Sequence, residues 1–286
     1  MEYLAALHPA TLYALVVVLG LLVGSFLNVV ILRFPAALLH DWKCQCRELL
    51  GLEGDEAPHE TPAGIASGRS RCPSCSHPIA WYDNIPVASW LILRGRCRKC
   101  GTAISMRYPV VELLTAILSV LVIWQLGPTT AGLAGLVFTW TLIAAAGIDL
   151  DHKLLPDQLT LPLLWLGLTL NVFGVFTDLE SAVVGAVAGY LVLWLVFHLF
   201  RLVTGKEGMG YGDFKLLAAI GAWFGWQVLP TVILLASGVG AVLGLGLIAL
   251  RKMGREVPIA FGPFLAAAGW LVLVGGDAIV DFWLLF

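Results

Sequence analysis

Eight apolar stretches follow one another along this chain, at roughly 11–32, 110–126, 130–148, 159–176, 181–200, 214–226, 228–250 and 262–284. Coiled as helices, stretches of about 20 residues match the ~30 Å hydrocarbon layer of a bilayer. A water-soluble fold has no interior large enough for eight of them. Charge supports this reading: only 13% of the 286 residues are charged, with a mean hydropathy of +0.89, against about a quarter in soluble domains. The sequence predicts an all-α polytopic membrane protein with about eight transmembrane helices. The stretch 214–226 is short; Gly221 and Gly225 suit a tightly packed helix, and a re-entrant segment there would leave seven crossings. The first stretch reads as a retained span and not a cleaved signal, since Glu2 precedes it and Arg33 follows it.

The charges are sorted along the chain. Residues 33–109 hold ten of the 17 basic groups, seven of the 19 acidic groups and all six cysteines. With the N-terminus outside and eight spans threaded, all basic residues fall on one side: the ten of this module, Lys153, Arg201, Lys206, Lys215, Arg251, Lys252 and Arg255. The other side receives Glu2, Asp178, Glu180, Asp277 and Asp281. Basic residues mark the cytoplasmic face, so both termini are expected outside. The expected domains are a first span (1–32), a cytoplasmic module (33–109) and a seven-helix membrane domain (110–286). Within the module, 51–70 reads as a flexible loop. Residues 84–93 are too short to span and are expected to lie against the membrane surface or to form a packed hairpin arm; Trp81, Tyr82 and Trp90 suit either an interfacial position or a small metal-centred core.

Cys72-Pro-Ser-Cys75 and Cys97-Arg-Lys-Cys100 are two CxxC knuckles 21 residues apart. Each two-residue gap presents a pair of sulfurs from one tight turn, and the spacer can return the second pair beside the first, the pattern of a closed four-thiolate zinc site. Two disulfides or packed free thiols are the alternatives, and a reducing compartment disfavours the disulfides. Cys44 and Cys46 have no second pair and read as spare thiols. Arg69, Arg71, Arg94, Arg96, Arg98 and Lys99 around the knuckles resemble a nucleic-acid footprint. Membrane-proximal cytoplasmic loops are basic for topological reasons, and no nucleic-acid partner is expected.

Two carboxylates fall where the threading puts the cytoplasmic edge of a span: Asp149 in AAAGIDLDHKLLPD and Asp213 in GMGYGD. Such groups are costly at that depth unless they face water, a cavity or each other. Gly205, Gly208, Gly210 and Gly212 would allow close backbone approach or positive φ beside Asp213. Paired carboxylates can hydrolyse a peptide: one, ionised, takes a proton from water, and the other, protonated, donates to the carbonyl or leaving amine. The bland alternative makes Asp213 a first-turn acid favoured by the helix dipole and Asp149 a helix-exit acid. Asp151 and Asp157 read as loop and first-turn acids. The glycine run follows no strand, so it is not a dinucleotide fingerprint.

Taken together, these motifs resemble the type IV prepilin peptidases, over essentially the whole chain. Gly24-Ser25-Phe26-Leu27-Asn28-Val29-Val30 with Arg33 and Pro35 resembles the family's junction after the first span. The resemblance implies Asp149 and Asp213 as the catalytic pair, the latter in a GxGD motif with Gly210 and Gly212. It implies zinc on Cys72, Cys75, Cys97 and Cys100, and Phe261-Gly262-Pro263 as a last-span motif. The activity implied is cleavage of type IV prepilins and pseudopilins after the glycine that ends a basic leader, on the cytoplasmic side of a bacterial inner membrane. N-methylation of the new terminal residue, usually Phe, with S-adenosylmethionine would follow. No Rossmann-type fingerprint is present, so a donor site is expected within 33–109 and at loop edges. A peptidase without methyl transfer is the near alternative; an ion-coupled transporter or adaptor is the remote one.

Overall fold

The computed structural model describes residues 8–51, 64–65, 68–206, 208–250 and 260–276. Among them no strand forms, and the architecture is helical: α1 (Pro9–Leu49), α2 (Ala88–Ile92), α3 (Arg107–Leu126), α4 (Thr130–His152), α5 (Asp157–Val172), α6 (Leu179–Thr204), α7 (Tyr211–Phe224), α8 (Leu229–Ala249) and α9 (Gly262–Gly275). All except the five-residue α2 fall on the eight apolar stretches. Five segments are long and apolar enough to cross a bilayer: α1, α3, α4, α6 and Trp226–Gly246. At 1.5 Å per residue, α5, α7 and α9 are only ~21–24 Å long. Residues 277–284 of the last stretch, most of the 51–70 loop, and the charges at Glu2, Arg251, Lys252, Arg255, Asp277 and Asp281 lie outside the described residues.

The first helix differs from its expected length. It does not stop near residue 32 but runs for 41 residues, ~61 Å or about twice the hydrocarbon layer. Hydropathy ends at Arg33, whereas backbone hydrogen bonding does not, and Pro35 is accommodated as a buried residue inside the helix. The stop comes at Gly51, whose φ of 61° lets its N–H reach the Glu48 carbonyl at 3.1 Å. Cys44 and Cys46 therefore sit on the last turns of α1, with Cys44 Sγ 3.6 Å from His40 Nε2.

The chain forms two compact units, residues 7–120 and those from 121 onward. In the first, α1 and α3 touch backbone to backbone. A Cβ on Gly20 would stand 2.6 Å from Ala116 Cα, and one on Gly24 2.6 Å from Glu112 Cα. Lipid offers no hydrophobic drive between helices, so such close small-residue contact is what holds them. Buried Asn28 locks the pair by donating to the Gly24 and Tyr108 carbonyls at 3.3 and 3.1 Å.

In the second unit α7 is the enclosed element, with every residue from Asp213 to Trp223 buried except Lys215. Gly185 of α6 and Gly221 of α7 leave no room for a Cβ against each other's backbone, and a Cβ on Gly189 would meet the Leu217 carbonyl oxygen at 2.7 Å. Gly221 is thus the packing glycine expected from the sequence. Gly225, at φ 86°, is the residue that ends the helix. Asn171 of α5 satisfies that end: its Nδ2 donates to the Ala222 and Trp223 carbonyls at 2.9 Å, while its Oδ1 accepts from Phe176 and Thr177. Trp223 Nε1 donates to the Leu163 carbonyl at 2.8 Å. The far end of α7 is pinned, which fixes where Asp213 begins it.

Candidate active site and metal centre

Asp149 occupies the last turn of α4 and is 5% exposed; Asp213 occupies the first turn of α7 and is 6% exposed. The two carboxyl groups lie close enough to feel each other's charge. Each is held by one backbone N–H from the start of a helix. Gly262 N, opening α9, donates to Asp149 Oδ2 at 3.0 Å. Gly210 N, before α7, donates to Asp213 Oδ2 at 3.2 Å, while Asp213 N returns a bond to the Gly210 carbonyl. Asp213 Oδ1 is buried without a hydrogen-bond partner among the described residues. A buried carboxylate oxygen in that state is costly unless a ligand, water or proton serves it.

Leu155 sits between the two glycine segments. A Cβ on Gly212 would lie 2.5 Å from Leu155 Cβ; one on Gly262 would lie 2.6 Å from Asp149 Oδ2 and 3.0 Å from Leu155 Cδ1. The glycine run therefore divides its labour between the two expected uses, close approach and positive φ. Of its members only Gly205 takes a positive φ, and it does so to end α6. Gly212 is needed for space against Leu155, and Gly210 meets nothing nearer than 3.9 Å, which is Asp213 Oδ2. Asp157 is a first-turn acid of α5, paired to Lys215 Nζ at 2.5 Å, and Asp151 is exposed on α4. Sequence reasoning missed Gly262 and Leu155 as members of this site. Gly-Pro at a helix start was the visible signal for the first, and nothing local marked the second.

In the other unit, Cys72, Cys75, Cys97 and Cys100 present four sulfurs all within 4.8 Å of one another. Cys72 Sγ and Cys100 Sγ stand 3.6 Å apart, far beyond a disulfide bond and close to the ~3.8 Å edge of a tetrahedron with ~2.3 Å zinc–sulfur bonds. The knuckles are copies at an offset of 25 residues, a repeat not read from the sequence. Cys72 N bonds His77 O and Ser76 N bonds Cys72 O, just as Cys97 N bonds Thr102 O and Gly101 N bonds Cys97 O. The fifth position is left-handed in both, at Ser76 (φ 53°) and Gly101 (φ 72°), and the sequences RCPSCSHPI and RCRKCGTAI align through it.

The thiols titrate far apart. Hydrogen bonds from the Thr102 hydroxyl and amide pull Cys100 down to about 6. The His77 amide favours a thiolate at Cys75, yet burial and the neighbouring Cys72 and Cys100 sulfurs outweigh it and push that thiol up to about 11. Crowded sulfurs resist sharing negative charge, and a bound divalent cation removes that resistance. The cluster fits a structural metal such as zinc.

Basic groups around the knuckles brace the module itself. Arg98 pairs with Asp83 at 2.6 Å and lies 5.7 Å over the Tyr82 ring, while Arg69 and Arg71 donate to the Ile79 and Ser76 carbonyls. Residues 84–93 form no hairpin. A 3₁₀ turn (Trp81–Asn84) leads into α2, with Trp81 and Ile92 exposed and Trp90 turned inward to donate to the Ile104 carbonyl. Trp90 thus packs into the module, and Trp81 stays on its surface.

Comparison with known proteins covers both units. Residues 18–126 match the bacterial peptidase A24 N-terminal domain, and residues 136–245 match the type IV leader peptidase family. The prepilin leader peptidase/N-methyltransferase of Aeromonas hydrophila is 55% identical, over 96% of this chain and 95% of its own. Those of Stutzerimonas stutzeri and Pseudomonas aeruginosa are 55% and 53% identical, over 100% of this chain and 98% of theirs. No solved structure matches. Near-complete coverage at more than half identity, with both halves of the chain matched, makes this chain a member of the type IV leader peptidase family.

Proposed function

We propose that this protein processes type IV prepilins and pseudopilins in two steps, removing the basic leader peptide and then N-methylating the exposed terminal residue. Asp149 and Asp213 are the peptidase pair in this reading. The observation that carries it is their arrangement: two buried, mutually interacting carboxyl groups, each anchored by a single glycine N–H, with Asp213 Oδ1 left without a partner. Like charges at close range oppose double ionisation, so in this reading the pair works with one proton between its two members. The ionised member takes a proton from water, whose oxygen attacks the scissile carbonyl carbon. The protonated member donates to the carbonyl oxygen, and collapse of the adduct breaks the C–N bond as the departing amine takes up a proton.

The relatives' names carry the second activity. S-adenosylmethionine would supply an electrophilic methyl group: the new terminal amine, neutral, would form the N–C bond as the S–CH3 bond breaks, releasing the neutral thioether S-adenosylhomocysteine, and would then lose a proton. Zinc on the four cysteines would staple the residue 33–109 module. That module would lie on the cytoplasmic side of the bacterial inner membrane, with both chain termini periplasmic, which the one-sided distribution of the basic residues supports. On that side an acidic site would attract a basic leader electrostatically.

Co-expression with a prepilin carrying its leader, followed by intact-mass analysis of the pilin, separates the outcomes. Leader loss with one added methyl supports the full reading, leader loss alone supports a peptidase without methyl transfer, and an untouched prepilin refutes both.

A further inference from the structure

The unit formed by residues 7–120 has an open cavity of about 730 Å³ that reaches Cys72 and Cys97 of the four-sulfur cluster at one edge, inside the ~300–1,000 Å³ range of small-molecule sites. One wall is a face of α1 at helical spacing, with Ser25, Asn28 and Leu32; another is Tyr108 and Glu112 of α3; Tyr82 and Trp90 supply aromatic surface. Glu112 is 7% exposed. Its partners are neutral: Oε2 accepts the Val87 N–H at 2.7 Å, and the Ser25 hydroxyl bonds its carboxylate. The cavity's other acid, Asp83, is already neutralised by Arg98 at 2.6 Å, while the remaining bases of the lining are engaged elsewhere: Arg33 and Arg71 donate to backbone carbonyls, and Lys99 Nζ lies 3.4 Å from His77 Nδ1. Val87 is held at φ 60° within a γ-turn closed by Ala88 N to Pro86 O at 2.5 Å. A β-branched residue rarely accepts that conformation, and here it aims an N–H at Glu112 and fixes the carboxylate in the wall.

A buried anion with only neutral partners calls for a cation. A lysine or arginine side chain would fill only a small part of this space, and Arg98 already lies 5.7 Å over one face of the Tyr82 ring. A sulfonium-bearing nucleoside fills it, with its flat base available to the aromatic rings.

We propose that this cavity binds the methyl donor S-adenosylmethionine, with the Glu112 carboxylate as counter-charge to its cationic end and Tyr82 as part of the wall for its base. This assignment rests on the two-step reading of function above.

The test is equilibrium binding to the purified full-length, zinc-loaded protein, without turnover, comparing S-adenosylmethionine with the neutral thioether S-adenosylhomocysteine. Glu112→Gln keeps an acceptor for the Val87 N–H but loses the charge. It should weaken S-adenosylmethionine about tenfold and leave S-adenosylhomocysteine within about twofold. Tyr82→Ala, at a half-exposed position, should weaken both ligands. Glu112→Gln binding S-adenosylmethionine as tightly as wild type, or losing both ligands equally with zinc retained, overturns the proposal. Should Glu112→Gln lose its zinc, Tyr82→Ala decides: weakened binding of both supports the cavity, and unchanged binding of both removes it. A wild-type protein that neither binds the donor nor methylates pilin refutes the bifunctional reading itself. A wild type that methylates while both variants bind normally refutes only this site.

Discussion

Replacing Gly262 with alanine places one methyl group against the proposed catalytic pair while removing no ionisable group. The new Cβ would stand 2.6 Å from Asp149 Oδ2, 3.2 Å from Asp149 Cγ and 3.0 Å from Leu155 Cδ1, where ordinary contact begins at 3.4 Å. The carboxylate must yield by most of an ångström, and its 3.0 Å bond from Gly262 N is lengthened or lost. A hydrogen bond to a charged group is worth ~1.5–3 kcal/mol, and misplacing a reacting group by about 1 Å costs on the order of 100-fold in rate. Stability moves less, because overpacking costs ~1–3 kcal/mol while alanine regains up to ~1 kcal/mol over glycine in a helix. The expected result is a folded, zinc-containing protein that cleaves prepilin roughly 100-fold more slowly and methylates pre-cleaved pilin normally. Initial cleavage rates in detergent, with melting and zinc content alongside, measure it. Gly238→Ala, where a Cβ meets nothing within 4 Å, is the control. Wild-type cleavage by Gly262→Ala would refute the claim that this backbone amide positions Asp149.

Asp149→Asn and Asp213→Asn should each abolish leader cleavage while the protein inserts and retains its zinc; near-normal cleavage by either removes that residue from the pair. Purified protein should carry one zinc per chain. Elemental analysis should show it lost in Cys72→Ser and kept in Cys44→Ser and Cys46→Ser, whose positions on α1 are apart from the four-sulfur cluster. Arg98 holds Asp83 below its ordinary 3.8. This contribution is complete above the ordinary carboxylate range and disappears as pH falls through the lowered folded value. Wild type and Asp83→Asn should therefore differ slightly in melting temperature at neutral pH and converge in acid, and a difference that grows in acid contradicts the pairing.

Hydropathy located the helices of this chain and misjudged how far one of them extends. The apolar run ends at Arg33, yet α1 continues as a polar helix because nothing after Pro35 stops it before Gly51. Pro35 does not break it, and sits inside the helix as a buried residue. The CxxC spacing was enough to group four cysteines, but the second copy of the knuckle was hidden because only the Arg, the two Cys and the Ile of each nine-residue segment coincide. The aspartates stood out through their cost in an apolar setting. Gly262 and Leu155 carry no such cost: Gly262 lies 113 residues from the Asp149 it serves, and Leu155 is one leucine among many. Single-chain patterns record local periodicity and expense, and neither marks a contact made by a backbone amide or a methyl group.

In a bilayer, hydrophobicity stops reporting burial, because lipid and protein interior are equally apolar. Large aliphatic side chains of α6 such as Leu195, Leu199 and Leu202 are well exposed, while the most enclosed helix, α7, is only 14 residues long and rich in alanine and glycine. What separates inside from outside is residue size where two backbones meet, at Gly20 and Gly24 in one unit and at Gly185, Gly189 and Gly221 in the other. The same rule governs the edge that carries the two aspartates. Gly212 and Gly262 are small because Leu155 and Asp149 already occupy the space their side chains would need, and that close fit lets two short helix starts each spend one backbone N–H on a carboxylate. Among the described residues a glycine is therefore more often a statement about its neighbour than about its own φ.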